Sequence, residues 1–278
     1  MQLRITTLAE NTAIGSGTLA EHGLSMLVEA DDLCLMLDTG QTGTAVHNAY
    51  ALGIDLSRVR HLVLSHGHQD HTGGLKEVLA RTGELDVYAH SDVWRARYAV
   101  RKGQKARYSG LPFLREHLEA LGATFHLSDG PAAIAPNVIA TGAVPRVTPF
   151  EKLDVDLKVR TPLGWQQDQI PDDQALLVKT PKGLVVLLGC AHSGIVNTLL
   201  HARQVAGEPR FLAVLGGTHL GFSTTEQLER TVAALKEFDI QRLGVSHCTG
   251  LPAAARLAHE FGDRFFFNNV GTVTEWQF

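Results

Sequence analysis

The chain has 278 residues, 44% hydrophobic and 19% charged, with a net charge of −4 and a pI near 6.4. That length suits one large α/β domain with a sizeable core, and the acidic balance argues against general nucleic-acid binding. No apolar run is long enough to span a bilayer, the start "MQLRITTLAENTA" lacks a secretory apolar segment, and three scattered cysteines make no disulfide framework, so cytoplasmic residence is expected.

Strands and helices alternate along the chain. "LRITTL" (3–8), "LSMLVEA" (24–30) and "LCLMLDTG" (33–40) read as strands, with "EADDL" as the turn between the last two. "TAVHNAYALGI" predicts a short helix stopped near Gly53. "RHLVLS" is a buried strand, "GGLKEVLARTG" a helix closed by Gly83, and "LDVYAH" another strand. The region 91–150 is less regular and holds one helix-like stretch, "PFLREHLEALG". Beyond it, "LDVDLKV" reads as a strand, and "QALLVKT" and "LVVLLG" as a hairpin turning at Pro181 and Gly183. Helices at 194–206, 224–238 and 251–261 then alternate with strands "FLAVLGG", "RLGVS" and a terminal strand near 264–267. No repeat or linker divides the chain. The expectation is one layered αββα domain over 1–278, with two mixed sheets flanked by helices.

The densest chemistry lies in "LVLSHGHQDHTGGL", residues 62–75. Alternate residues of an extended chain share a face, so His66 and His68 can converge on one metal ion. Asp70 and His71 follow as the chain turns into a helix and can reach a second ion. Imidazole and carboxylate suit zinc, and iron or manganese can use them too. Polar residues that merely cap a helix would not need this density.

"SHGHQDHTGGL" resembles the H-x-H-x-D-H signature of the metallo-β-lactamase superfamily. Further stretches, "EHGLSMLVE", "LDTG", "GAVPRVTPFEK", "DDQALLVKT", "GLVVLLGCAHSGIVN", "LGGTHL" and "SHCTG", resemble one branch of it, similar to 7,8-dihydropterin-6-ylmethyl-4-(β-D-ribofuranosyl)aminobenzene-phosphate synthase. The resemblance implies an αββα sandwich holding one or two metal ions between its sheets. It gives His66 and His68 to the first ion, and Asp70, His71 and His247 to the second. Where many relatives have a bridging Asp this chain has Cys190, which is either a thiolate ligand or a small buried hydrophobe. Relatives also supply a histidine from the mid-chain loop. "GAVPRVTPF" has none, and His192 is the natural substitute, unless it only starts a helix. Asp38 is similar to an aspartate that orients ligand groups, or is a plain turn residue. His219 is a candidate for substrate contact or proton transfer, with a loop histidine as the plain alternative, and His22 is a candidate pocket residue or a surface one. Cys34 reads as core. Cys248, next to His247, is expected to face away. Asp173 either donates to the site or begins a strand.

A basic stretch, "WRARYAVRKGQKARYSGLPFLR" (94–115), contains no acidic residue. It is either a solvated face or a lid, placed at about 91–128, that recruits an anionic substrate through Arg101, Lys102 and Lys105. Arg146 is a further candidate for anion contact. The expected activity is that of a metal-dependent hydrolase in which metal-activated water attacks a phosphoester, phosphodiester or other anionic, pterin- or nucleotide-like small molecule. Asp70 would orient the nucleophile and His219 protonate the leaving group. Three other readings remain: a synthase-type transferase releasing diphosphate, a lactonase or carboxyl-ester hydrolase, and a non-catalytic ligand sensor. A homodimer is possible; neither a membrane nor a nucleic-acid partner is expected.

Overall fold

Two seven-stranded sheets face each other, built from the segments that read as apolar runs. The computed structural model describes residues 1–278. In chain order the first half runs β1 (Gln2–Ala9), β2 (Ser25–Ala30), β3 (Leu33–Leu37), α1 (Thr44–Ala51), β4 (His61–Val63), α2 (Gln69–Thr72), α3 (Leu75–Thr82) and β5 (Leu85–Ala89). The middle holds β6 (Arg97–Ala99), β7 (Arg107–Tyr108), α4 (Arg115–Ala120), β8 (Ala123–Leu127), β9 (Ala132–Ala135), β10 (Val138–Ala140), β11 (Leu157–Thr161) and β12 (Gly164–Gln167). The last part runs β13 (Ala175–Thr180), β14 (Gly183–Leu188), α5 (Ile195–Ala206), β15 (Phe211–Gly217), α6 (Thr225–Lys236), β16 (Leu243–Ser246), α7 (Leu251–Phe261), β17 (Phe265–Phe267) and β18 (Val273–Gln277).

The first sheet has the order β18-β1-β2-β3-β4-β5-β8 and the second β17-β16-β15-β14-β13-β10-β9. Each is antiparallel on one side and parallel on the other. Side chains alternate between two buried faces, which is why these strands read as unbroken apolar runs. Leu35 and Leu37 point between the sheets, while Cys34 and Met36 point out under α1 and α3. Likewise Val185 and Leu187 face inward, whereas Leu184, Val186 and Leu188 pack beneath α5, α6 and α7. The expected αββα sandwich is present.

Local signals set most boundaries. Thr224 caps α6 by accepting from the Gln227 N–H at 3.2 Å, and Gly207 ends α5 in the left-handed region at φ 63°. The hairpin of β13 and β14 turns where Pro181 and Gly183 predict it. The terminal strand "264–267" is real as β17, but β18 follows it and closes the first sheet against β1.

The lid boundaries need correction. α4 and β8 are part of the main fold, because β8 is the edge strand beside β5 and Leu118 of α4 packs into the outer core. What stands over the carboxyl ends of the strands is a third, four-stranded sheet, β12-β11-β6-β7. It joins the basic hairpin to a second hairpin from 157–167. "LDVDLKV" therefore yields a strand only from Leu157, and that strand belongs to the cover.

Candidate metal centre

The carboxyl ends of β3, β4, β14, β15 and β16 meet along one edge of the sandwich. They deliver Asp38, His66, Cys190, His219 and His247 respectively. The two sheets approach so closely there that a Cβ on Gly189 would overlap the Ser65 hydroxyl. Four of the residues that turn away from these strands, Asp38, Ala191, His219 and His247, have φ between 51° and 58°. Such left-handed conformations in non-glycine residues cost energy and gather where side chains must be aimed.

Three ring nitrogens converge first. His192 Nε2 lies 3.1 Å from His66 Nε2 and 3.1 Å from His68 Nδ1. A single proton can satisfy only one of those contacts. By contrast, ligands tetrahedrally bound to one zinc at its usual Zn–N distance sit about 3.3–3.4 Å apart. Burial, and then the neighbouring imidazoles, hold His66 and His192 well below the ordinary histidine pKa, and burial lowers His68 to about 3. All three are neutral near pH 7, with lone pairs available.

Hydrogen bonds to the opposite nitrogen aim His66 and His71, whereas His68 Nε2 and His192 Nδ1 are buried without a partner. Asp38, fully buried, accepts from the Ser65 N–H at 2.7 Å, from the Ser65 hydroxyl at 2.6 Å and from His71 Nδ1 at 2.7 Å. Ser65 Oγ in turn accepts from His66 Nδ1 at 2.9 Å. His66 and His71 therefore both present Nε2 to the centre, His71 at 3.1 Å from Cys190 Sγ. Burial disfavours a charged His71, but the Asp38 carboxylate outweighs it and raises the metal-free group to about 9. His247 Nδ1 bonds to Asn11 Oδ1 at 2.9 Å, leaving its Nε2 3.3 Å from Asp70 Oδ2. His22 Nε2 meets the same oxygen at 3.2 Å. Burial opposes ionisation of Asp70, yet the bonds from His22 and His247 prevail and keep it well below the usual carboxylate range.

The donors thus form two clusters with Cys190 between them: His66, His68 and His192 on one side, Asp70, His247 and His22 on the other. The mutual approach of unprotonated nitrogens, thiol and carboxylate fits a divalent cation. Cys190 and His192 are both brought to the cluster. His22 enters it as the second imidazole on Asp70, although its side chain is 57% exposed. Only its place in "EHGLS" hinted at this.

Other expectations change. Cys248 does not face away: its Sγ accepts from the His219 N–H at 3.2 Å and points at the Cys190 carbonyl at 3.6 Å. Alternation fails there because His247, at φ 51°, is not extended. Arg146 does not touch the cavity; its guanidinium donates to the His192 carbonyl at 2.8 Å and holds that residue. Asp173 does neither of the things expected of it alone, for its carboxylate accepts the Ser193 N–H at 2.7 Å and anchors the turn after Cys190. Cys34 is core.

A cavity of about 100 Å³ opens onto the centre, lined by His22, His68, Asp70, Cys190, His192, His219, His247 and Cys248 below and by Ala99, Arg101, Arg107, Asp154, Asp156 and Phe222 above. Lys102 and Lys105, expected to bind substrate, are exposed and do not line this cavity; Arg107, their neighbour in sequence, lines the wall with Arg101. His219 packs against His192 with ring centroids 4.2 Å apart and planes tilted by 54°, and it meets Asp154 Oδ2 at 3.5 Å.

The family model of the metallo-beta-lactamase superfamily matches residues 19–196, and the chain belongs to that superfamily. Within it, the chain is 28% identical to the 7,8-dihydropterin-6-methyl-4-(beta-D-ribofuranosyl)-aminobenzene-5'-phosphate synthase of Methanocaldococcus jannaschii, over 99% of this chain and 97% of that one. It is 30% identical to an uncharacterized protein of the same organism, over 97% and 98% of the two chains. A crystal structure described as a metal-dependent hydrolase of the β-lactamase superfamily superposes with a TM-score of 0.84 at 29% identity, covering 99% of this chain and all of the other. No helix is long and apolar enough to cross a membrane.

Proposed function

We propose that the chain is a metal-dependent hydrolase of phosphoesters or related anionic small molecules. The observation that carries this reading is the convergence of His66, His68 and His192 at 3.1 Å, next to a carboxylate kept ionised by two histidines. Zinc, or iron or manganese in its place, would be held by those three nitrogens and by Cys190, Asp70, His71 and His247. Once bound it lowers the pKa of a water and neutralises charge on the scissile group. Asp70 orients the attacking oxygen by accepting its hydrogen bond. His219, steadied by Asp154, faces the cavity where a leaving group needs a proton. Arg101 and Arg107 draw the anionic part of the substrate in from above.

A larger cavity of about 470 Å³ adjoins this one and shares Asp154, His219 and Phe222 with it. Its wall carries Phe150, with the Arg230 guanidinium 5.0 Å from the ring centroid, and Lys152. The space supports a substrate with a planar part and a second anionic group. It also favours a second reading, transfer of a dihydropterin-methyl group onto an aryl acceptor with loss of diphosphate, because two reactants then have two places. The similarity to the methanogen synthase supports that reading too.

One assay separates these readings. Zinc-reconstituted and chelator-treated protein are offered phosphodiesters, phosphomonoesters, lactones and a dihydropterin-methyl diphosphate with and without an arylamine. Metal-dependent turnover of a phosphoester by water supports hydrolysis. Diphosphate release only with the amine present supports transfer. Turnover of lactones alone would overturn both.

A further inference from the structure

We infer that the second metal position is a two-thiolate site, in which Cys248 binds the ion together with Cys190 and His247. It rests on the reading of this edge as a metal centre and adds a ligand that the signature residues do not contain. The Sγ atoms of Cys190 and Cys248 and a ring nitrogen of His247 all lie within 4.8 Å of one another. Two sulfurs on one tetrahedral zinc, at its usual Zn–S distance, stand about 3.8 Å apart, so a shift of an ångström or less closes the set.

The backbone is shaped to bring the second thiol in. His247 and Cys248 are consecutive, yet both side chains turn to the centre, because His247 adopts φ 51° and opens a short 3₁₀ turn. The Glu10 carboxylate holds that turn by accepting the His247 N–H at 2.7 Å. Gly217 clears the path: a Cβ there would sit 2.7 Å from Cys248 Sγ. The sulfur is buried and has polar partners on both sides, accepting the His219 N–H at 3.2 Å and, as a thiol, donating to the Cys190 carbonyl at 3.6 Å, which an apolar packing group would not do. Both thiols lose their protons to solvent when the ion binds. Thiolates select soft or borderline cations, so this position takes zinc, cobalt or cadmium in preference to manganese or magnesium, while the three-histidine position stays less choosy.

The test uses cobalt(II) titrated into metal-free protein and read by absorption. Thiolate-to-cobalt charge transfer appears in the near ultraviolet, separate from the visible bands of any bound cobalt. In the wild type the second equivalent of cobalt should bring the charge-transfer band up. Cys248→Ser should lose about half of that band and bind the second ion at least tenfold more weakly, with the first ion retained. Cys190→Ser should keep a residual band, which only Cys248 can supply, since Cys34 lies on the far side of the first sheet. That second variant decides the matter if Cys248→Ser fails to fold. Cobalt bound without a charge-transfer band, a full band in Cys248→Ser, or no band in Cys190→Ser would each overturn the two-thiolate site and leave the metal centre standing. No bound cobalt at all would overturn the metal reading itself.

Discussion

Asp38 shows how much one residue can decide. It sits at φ 58° with no exposure, and its two oxygens accept the Ser65 N–H, the Ser65 hydroxyl and His71 Nδ1. Through them it sets the tautomers of both His66 and His71. Asp38→Asn keeps the shape but replaces one acceptor oxygen with a donor, which breaks one of these bonds. Metal affinity, measured by chelator competition, should fall about 10–100-fold, the usual effect of removing such a partner. Affinity equal to wild type would show that the rings are aimed by packing alone.

At the level of elements, the cover sheet ties the basic hairpin to the metal centre through Arg97. This guanidinium, fully buried on β6, bonds Asp172 Oδ1 at 2.6 Å and Asp168 Oδ2 at 3.0 Å. Asp172 Oδ2 accepts the Gly67 N–H at 2.7 Å, between the first two histidines. Arg97→Met leaves two buried carboxylates unpaired and should cost about 3–5 kcal/mol in denaturant unfolding. Arg97→Lys should recover part of this, since it restores charge but not the fork. Arg101 and Arg107 face the cavity, whereas Lys102 and Lys105 do not. Replacing both arginines by Gln should raise KM for an anionic phosphoester roughly tenfold or more, with a smaller effect at high salt. The two lysines replaced together should change it much less. Equal effects from the two pairs would make the segment a general electrostatic surface rather than a wall of the site.

For the molecule as a whole, two stability responses follow. Burial, with a second carboxylate on the same guanidinium, raises Asp172 to about 7. Between its ordinary value near 4 and that value, the folded state holds a proton that the unfolded chain does not. The stability this contributes is present below pH 4 and lost as pH rises through 7. The three buried neutral histidines of metal-free protein act in the opposite direction over the same window, so the difference between variant and wild type carries the test: the Tm of Asp172→Asn should gain on that of wild type as pH rises from 4 to 7. A slope unchanged in that variant would assign the titration to another group. Metal present at 100 times its Kd adds about 2.7 kcal/mol, so chelation should lower Tm by about 5–10 °C in this chain. An unshifted Tm would mean that the ligand clusters hold nothing in solution.

Much was determined by the sequence alone, and the reason is locality. Period-two and unbroken apolar runs define the strands, caps and glycines end the helices, and the spacing of His66, His68, Asp70 and His71 is itself a ligand pattern. Those signals lie within a few residues of one another. What joins residues far apart in the chain could only be decided by tertiary structure. The approach of β3, β4, β14 and β16 places Asp38, His192 and Cys190 against the first cluster, and turns Asp70 toward His22 and His247. Pairing of β6 with β11 makes a cover from two hairpins, 97–108 and 157–167, so the basic stretch by itself overstates the cover at one end and omits its other half. Cys248 was misread because the alternation rule assumes an extended chain, and one residue at positive φ reverses it. A backbone torsion imposed by packing across the sandwich leaves no mark in the local pattern of residues.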